Sequence, residues 1–144
     1  MPASHFSVPT VLAIDTATEY CSIALLRAGH IEQRREHVGQ AHSSVLLPWI
    51  EAMLREHALR LDECDAIAFG AGPGSFTGLR IACGVAQGLA WGAGKPVVAI
   101  GNLAAMAWQA AGNSAAPQRV ACAIDARMGE AYLAVFEVDG MRVR

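Results

Sequence analysis

Residues 11–26 read V-L-A-I-D-T-A-T-E-Y-C-S-I-A-L-L, and residues 121–136 read A-C-A-I-D-A-R-M-G-E-A-Y-L-A-V-F. The two stretches align without a gap, so that Asp15 matches Asp125. Each stretch predicts a strand that ends in aspartate, a short turn and a second strand. Two short hairpins can resemble each other by chance. The alternative is a duplicated lobe, of which the second copy has only begun where the sequence ends at Arg144.

The residues between the two copies have the hydrophobic pattern of an α/β fold. Short strands joined by tight turns predict an antiparallel meander, and the strands and helices that alternate after it are typical of a parallel sheet. We place the polar third strand at a sheet edge. Pro48 lies inside the first helical pattern and indicates either a kink or a later helix start. The predicted strands are 11–14, 20–27, 31–38, 66–69 and 97–100, and the predicted helices are 42–57, 76–91 and 103–111.

Helix ends and lobe boundaries follow from the same pattern. Ser75 and Asn102 precede helical stretches and are predicted to cap them, while Gly92 is predicted to end the second helix. We therefore expect a loose tail over 1–9, one lobe over 10–117 and an incomplete second lobe over 118–144.

Composition narrows the function classes. The 144 residues carry a net charge of −2, and 53% of them are hydrophobic. A chain with no basic excess is not expected to bind nucleic acid on its own, and one this apolar is not expected to be disordered. The four cysteines form no C-x-x-C pair, which favours reduced thiols. With no secretory signal and no unbroken apolar span, we expect a cytoplasmic protein without membrane contact.

Four strings of residues carry a family resemblance. They are I-D-T-A-T at 14–18, Q-A-H-S-S-V-L-L-P at 40–48, G-A-G-P-G-S-F-T-G-L-R-I at 70–81 and I-D-A-R-M-G-E-A-Y at 124–132. Two lobes that each open with a strand, an aspartate and a turn resemble the actin-like, Hsp70 and sugar-kinase ATPases. The four strings together resemble the TsaB (YeaZ-type) family within that superfamily. The resemblance implies an actin-like, ribonuclease-H-like α/β lobe with the start of a second similar lobe.

The resemblance also implies a role in tRNA modification. TsaB-like proteins pair with their paralogue TsaD, and the ATPase TsaE joins the pair. That assembly uses ATP and transfers threonylcarbamoyl to the adenosine 3′ of the anticodon in tRNAs that read ANN codons. The chain would be a non-catalytic partner that contacts tRNA only through the complex. Two alternatives stay open, an ATP-using enzyme of the actin-like or sugar-kinase fold and a self-associating homodimer.

A phosphate site of the actin-like kind would contain the two repeated aspartates. Its candidate residues are Asp15, Thr16, Gly72, Gly74, Ser75 and Asp125. Glycines before a helix N-terminus favour an anion there. However, the turn after Asp15 has no glycine, and its Glu19 would repel phosphate. The alternative is structural, with the aspartates capping turns and the glycines forming a tight connection.

Small residues on the second helix suggest an interface. Glycine and alanine at four-residue spacing allow a helix from another chain to approach closely, although the same residues could instead pack inside the core. The resemblance favours a TsaD interface, for which the candidates are Trp49, Met53, Ala82, Gly84, Gln87 and Gly88. We predict no metal site, because His37 and His42 do not share a helix face. No spacing suggests a catalytic residue.

Overall fold

The fold is given by a computed structural model that describes residues 8–114 and 116–144. The predicted tail therefore lies outside the described residues, except for Val8 and Pro9. The strands are β1 (Val11–Asp15), β2 (Tyr20–Arg27), β3 (His30–His37), β4 (Ala66–Gly70), β5 (Val97–Ile100), β6 (Gln118–Arg127), β7 (Glu130–Asp139) and β8 (Arg142–Val143). The helices are α1 (His42–Glu56), α2 (Phe76–Ala93) and α3 (Asn102–Ala111), with a 3₁₀ turn at Leu61–Glu63.

The first five strands form one mixed sheet in the order β3-β2-β1-β4-β5. Strands β1, β2 and β3 pair antiparallel, and β4 and β5 run parallel to β1. This confirms the predicted meander, the parallel half and the ribonuclease-H-like α/β class. The polar strand β3 lies at an edge and is exposed along its whole length, as predicted.

The main core lies between this sheet and the helices α1 and α2. Every second side chain of β1 and β2 points into it, which is the period of a half-buried strand. The buried strand residues are Leu12, Ile14, Cys21, Ile23 and Leu25, and they pack against Leu46, Ile50, Ala82 and Ala86 of the helices. Each buried leucine or isoleucine contributes about 1.5–3 kcal/mol. This cluster therefore holds α2 in place beneath the sheet.

Helix α1 begins at His42, as predicted, and continues through Pro48, so the alternative of a later start is wrong. The helix boundaries differ from the predictions in two other places. Helix α2 ends at Gly94 in the left-handed conformation, with φ 65°, two residues beyond the predicted stop. Asn102 is the first residue of α3 rather than its cap. Its side chain instead lies 3.4 Å from both the Gly72 amide nitrogen and the Pro73 carbonyl oxygen.

Strands β6, β7 and β8 form a second, antiparallel sheet that is covered on one face by α3. Leu103 and Ala107 of α3 pack on Cys122 and Val138. Helix α3 therefore packs on the second sheet, although its residues fall inside the lobe predicted for 10–117. Those lobe boundaries stay a prediction.

The two hairpins match on their first strands and slip by one residue on their second. Ile14 pairs with Ile23 in the first hairpin, whereas Ile124 pairs with Tyr132 and not with Leu133 in the second. The cause is an irregularity of register between Asp125 and Arg127. A one-residue slip moves a strand's side chains to the other face. The gapless sequence alignment is therefore structurally correct only up to the aspartate.

The buried thiol of Cys21 makes the stability of the fold sensitive to alkaline pH. Burial, and to a smaller extent the charge of Asp15, raise the pKa of Cys21 from 9.0 to about 11. In the unfolded chain the thiol ionises near pH 9. The contribution of the protonated Cys21 thiol to the free energy of unfolding is therefore complete below pH 9 and is lost as the pH rises towards 11. Urea unfolding between pH 7.5 and pH 10.5 should show this decline, and Cys21→Val should reduce it. An equal decline in both proteins would contradict this assignment.

Within the described residues, no helix has the length and hydropathy that crossing a bilayer requires.

Candidate functional site

The turn after β1 is fastened to the start of helix α2. The Asp15 carboxylate accepts a hydrogen bond of 2.9 Å from the Ala17 amide. The fully buried Thr16 hydroxyl donates one of 2.6 Å to the Gly78 carbonyl oxygen, and the Ser75 amide donates one of 2.7 Å to the Ala17 carbonyl oxygen. The first turn of α2 thus lies directly on the backbone of residues 15–17.

Two glycines permit this close approach. A Cβ at Gly78 would overlap the Thr16 carbonyl oxygen, and one at Gly74 would lie 2.7 Å from the Ala17 Cβ. Both obstacles leave no room for a side chain. Gly74 and Gly78 of the string at 70–81 therefore have a packing reason, which supports the structural alternative for them.

The predicted anion site is largely used by the chain itself. Ser75 caps α2 by accepting a hydrogen bond of 3.3 Å from the Gly78 amide, and its own amide is bonded to Ala17. Asp15 also lines a groove of about 210 Å³ with Ser22 and Asn102, on the sheet face opposite α1 and α2. The anion site remains a prediction, with its helix end already capped.

The second repeated aspartate behaves like the first. The Asp125 carboxylate accepts a hydrogen bond of 2.7 Å from the Arg127 amide, which is the same two-residue spacing as between Asp15 and Ala17. The Asp15 carboxylate therefore fixes the turn after β1, and the Asp125 carboxylate holds the last residues of β6 at their register irregularity. This geometry needs no ligand.

Three of the six predicted interface residues belong to the core. Trp49 and Met53 are only 8% and 5% exposed, and Ala82 is fully buried. The guanidinium group of Arg34 covers the remaining side of the Trp49 ring, 4.0 Å from its centroid. The amphipathic pattern that suggested a surface for these residues is the pattern of their packing on the sheet. A partner could touch only the other three, Gly84, Gln87 and Gly88, which are exposed.

Sequence reasoning missed the large exposed side chains on the same helix. Phe76 and Trp91 of α2 are exposed, Trp91 to 90%. The Arg80 guanidinium lies 3.8 Å from the centroid of the Phe76 ring. We call the exposed side of α2 the α2 face; it comprises Phe76, Arg80, Gly84, Gln87, Gly88 and Trp91. Their spacing of three and four residues, opposite the buried Gly78, Ala82, Ala86 and Ala90, was the signal that could have revealed them.

The α2 face has the chemistry of a protein interface. Arg80 is the only charged residue among the 18 of α2. An exposed and almost uncharged helix side that carries a tryptophan and a phenylalanine is characteristic of an interaction surface. The glycines in its centre leave open space, since a Cβ at Gly84 or Gly88 would meet nothing within 4 Å.

The two histidines considered as metal ligands, His37 and His42, have other partners. The buried His42 places its Nε2 3.2 Å from the Tyr20 carbonyl oxygen, and His37 lies 3.5 Å from a Glu19 carboxylate oxygen. Residues 8–114 and 116–144 contain no group of three histidine, cysteine, aspartate or glutamate side chains placed to hold an ion.

Sheet order, helix placement and the paired aspartate hairpins define a protein of the actin-like, ribonuclease-H-like class. A family model described as TsaD, tRNA N6-adenosine threonylcarbamoyltransferase, matches residues 32–144. The chain belongs to that family. Relatives that are named TsaB and YeaZ confirm its resemblance to TsaB.

The relatives are longer than this chain. "tRNA threonylcarbamoyladenosine biosynthesis protein TsaB" of Haemophilus influenzae is 50% identical over 123 residues, which are 85% of this chain and 52% of the relative. The protein of the same name in Escherichia coli is 45% identical over 129 residues, 90% of this chain and 55% of the relative. YeaZ from Pseudomonas aeruginosa superposes with a TM-score of 0.87 at 45% identity, covering 95% and 64% of the two chains. The chain thus spans about half the length of the curated relatives it matches.

Proposed function

We propose that this protein is a non-catalytic partner of a TsaD-type threonylcarbamoyltransferase in the cytoplasm. In this role it supports formation of threonylcarbamoyladenosine in tRNA. The proposal draws on the matching family and on the names of its TsaB relatives. The observation that carries it is the α2 face, an exposed and almost uncharged helix surface with open space over its central glycines.

The part of this protein is to hold TsaD in its active arrangement. A partner helix can lie close over Gly84 and Gly88 while Trp91 enters a pocket beside it. TsaE and tRNA then meet the assembly mainly through TsaD, because this chain offers no basic excess for RNA. ATP is consumed by the complex.

The alternative of an ATP-using enzyme has less support. The Ser75 side chain caps the N-terminal end of α2, where phosphates would bind. The Ser75 amide donates a hydrogen bond to the Ala17 carbonyl oxygen. Both aspartates already accept a hydrogen bond from the backbone amide two residues further on. We therefore expect no saturable binding of ATP to the chain alone, as measured by isothermal titration calorimetry.

The deciding experiment is size-exclusion chromatography with light scattering on the chain alone and mixed with purified TsaD. We expect a one-to-one complex. The same mixtures, supplied with TsaE, ATP, tRNA and threonylcarbamoyl-adenylate, should modify tRNA only when this chain is present. Two separate peaks, from a chain that is folded by circular dichroism, would refute the proposed partnership.

A further inference from the structure

The α2 face carries a single charge that the chain itself does not neutralise. Arg80 is the only charged residue of α2, and it is exposed. Across residues 8–114 and 116–144, no carboxylate forms an ion pair with it. A cation gains stability at the C-terminal end of a helix, whereas Arg80 is the fifth residue of 18. Its charge therefore contributes little to the fold of the isolated chain.

The Phe76 ring holds the Arg80 guanidinium in a defined place. The guanidinium carbon lies 3.8 Å from the ring centroid, because side chains of a helix lean towards its N-terminus and cover the residue four positions earlier. Stacking of this kind covers one face of the guanidinium but leaves the N–H groups in its plane free to donate. On the other side Gly84 has no side chain, and a Cβ there would meet nothing within 4 Å. The cation is thus both positioned and accessible.

We propose that Arg80 selects and orients the partner of the α2 face by pairing with an aspartate or glutamate on the partner's helix. A guanidinium matches a carboxylate with two parallel N–H···O bonds, and such charge-assisted bonds are stronger than neutral ones. Because Phe76 already holds the guanidinium, little conformational freedom is lost when the pair forms. The inference rests on the proposed function, since it takes TsaD as the protein whose helix covers α2.

Trp91, at the other end of the α2 face, fixes the direction of the partner's helix. It lies eleven residues beyond Arg80, which is about 16 Å along the helix axis at 1.5 Å per residue. The partner must therefore offer a carboxylate at one end of this distance and an apolar pocket for the indole ring at the other. A second copy of α2 cannot supply the carboxylate, because its 18 residues include no aspartate or glutamate. The charge thus favours a partner of different sequence over pairing of α2 with itself.

Calorimetric titration of the full chain with purified TsaD tests the role of Arg80. Arg80→Gln should weaken binding by at least about 30-fold, because the partner's carboxylate would be buried without its cation. Arg80→Lys keeps the charge but loses the paired hydrogen bonds, so its affinity should lie between the two. Arg119→Gln is the matched control, since it removes an exposed arginine from β6 of the second sheet, and it should bind TsaD like the wild type.

Two further readouts distinguish recognition of charge from loss of contact area. Attraction between Arg80 and the partner's carboxylate speeds their encounter, and salt screens it. Raising the salt concentration should therefore slow wild-type association in stopped-flow measurements, and Arg80→Gln should show a smaller dependence. Phe76→Leu should weaken binding but keep the wild-type dependence on salt, as expected of a residue that only positions the cation.

Charge exchange identifies the partner's carboxylate. Arg80→Glu should abolish binding, and one of a set of TsaD variants, each with a single helix aspartate or glutamate replaced by arginine, should restore it. Rescue by none of them would refute the pairing. Wild-type affinity of Arg80→Gln, together with loss of binding in Gly88→Leu, would refute the role of Arg80 and leave α2 as the interface. Absence of any complex with the wild-type chain would refute the proposed function and this inference together.

Discussion

Gly88→Leu is expected to abolish the complex with TsaD while making the free protein slightly more stable. Gly88 has open space where a side chain would begin, so leucine fits the isolated chain. Leucine also favours helix over glycine by roughly 0.5–1 kcal/mol. In the complex, however, it would hold the partner helix away from the close approach that glycine allows. We expect binding to weaken by at least about 100-fold, or roughly 2.7 kcal/mol.

Two measurements check this prediction. Calorimetric titration with TsaD measures the affinity, and thermal unfolding of the free chain measures its stability. Gly84→Leu should behave in the same way, and Trp91→Ala should cost at least about 2 kcal/mol of binding as the loss of a central aromatic anchor. Ala110→Leu, an exposed small residue on α3, is the matched control and should bind TsaD normally. Intact pairing in both glycine variants would exclude α2 as the interface.

Gly78→Ala is expected to destabilise the lobe by about 2–3 kcal/mol. The added methyl group would overlap the backbone carbonyl oxygen of Thr16. Neither group can rotate away, because the direction of each is fixed by the backbone. To remove this overlap, α2 would have to move away from the turn after β1, which would stretch the hydrogen bond from the Thr16 hydroxyl to the Gly78 carbonyl oxygen. Overpacking at buried positions costs about 1–3 kcal/mol, which is a large part of the stability of a domain of this size.

Comparing the urea unfolding of Gly78→Ala with that of Gly88→Ala separates the effect of the steric overlap from the effect of helix propensity. Both variants make the same substitution in one helix, and both gain helix propensity. Only the first meets an obstacle, so Gly88→Ala should raise the free energy of unfolding by roughly 0.5–1 kcal/mol. Equal effects of the two substitutions would contradict the close packing of α2 on residues 15–17.

The sequence predicted the elements of the fold better than the direction of their faces. Alternation in β1 and β2 and helical spacing in α1 are strong signals, because one side of each element is buried and the other is not. Helix α2 gives a weak signal, since glycine and alanine occur on both its buried and its exposed side. For that reason Ala82 was assigned to the surface and Trp91 was overlooked.

The role of the residues in the candidate site is decided by contacts between residues that are distant in the sequence. The glycine string at 70–81 could equally be a phosphate loop or a tight connection. Only the position of Thr16 and Ala17 against Gly78 and Gly74 distinguishes the two readings. No spacing along the chain reports that contact. Arg34, which covers Trp49 from β3, was hidden from sequence reasoning for the same reason.

The irregularity beside Asp125 has a consequence for how mutations act on the two similar hairpins. A shift of one position within β6, between Asp125 and Arg127, gives β7 the opposite inner and outer sides from those of β2. Ile23 lies in the main core, whereas its aligned counterpart Leu133 points away from the core beneath α3. Two hairpins can thus share one sequence pattern and still turn opposite halves of their second strands towards the core.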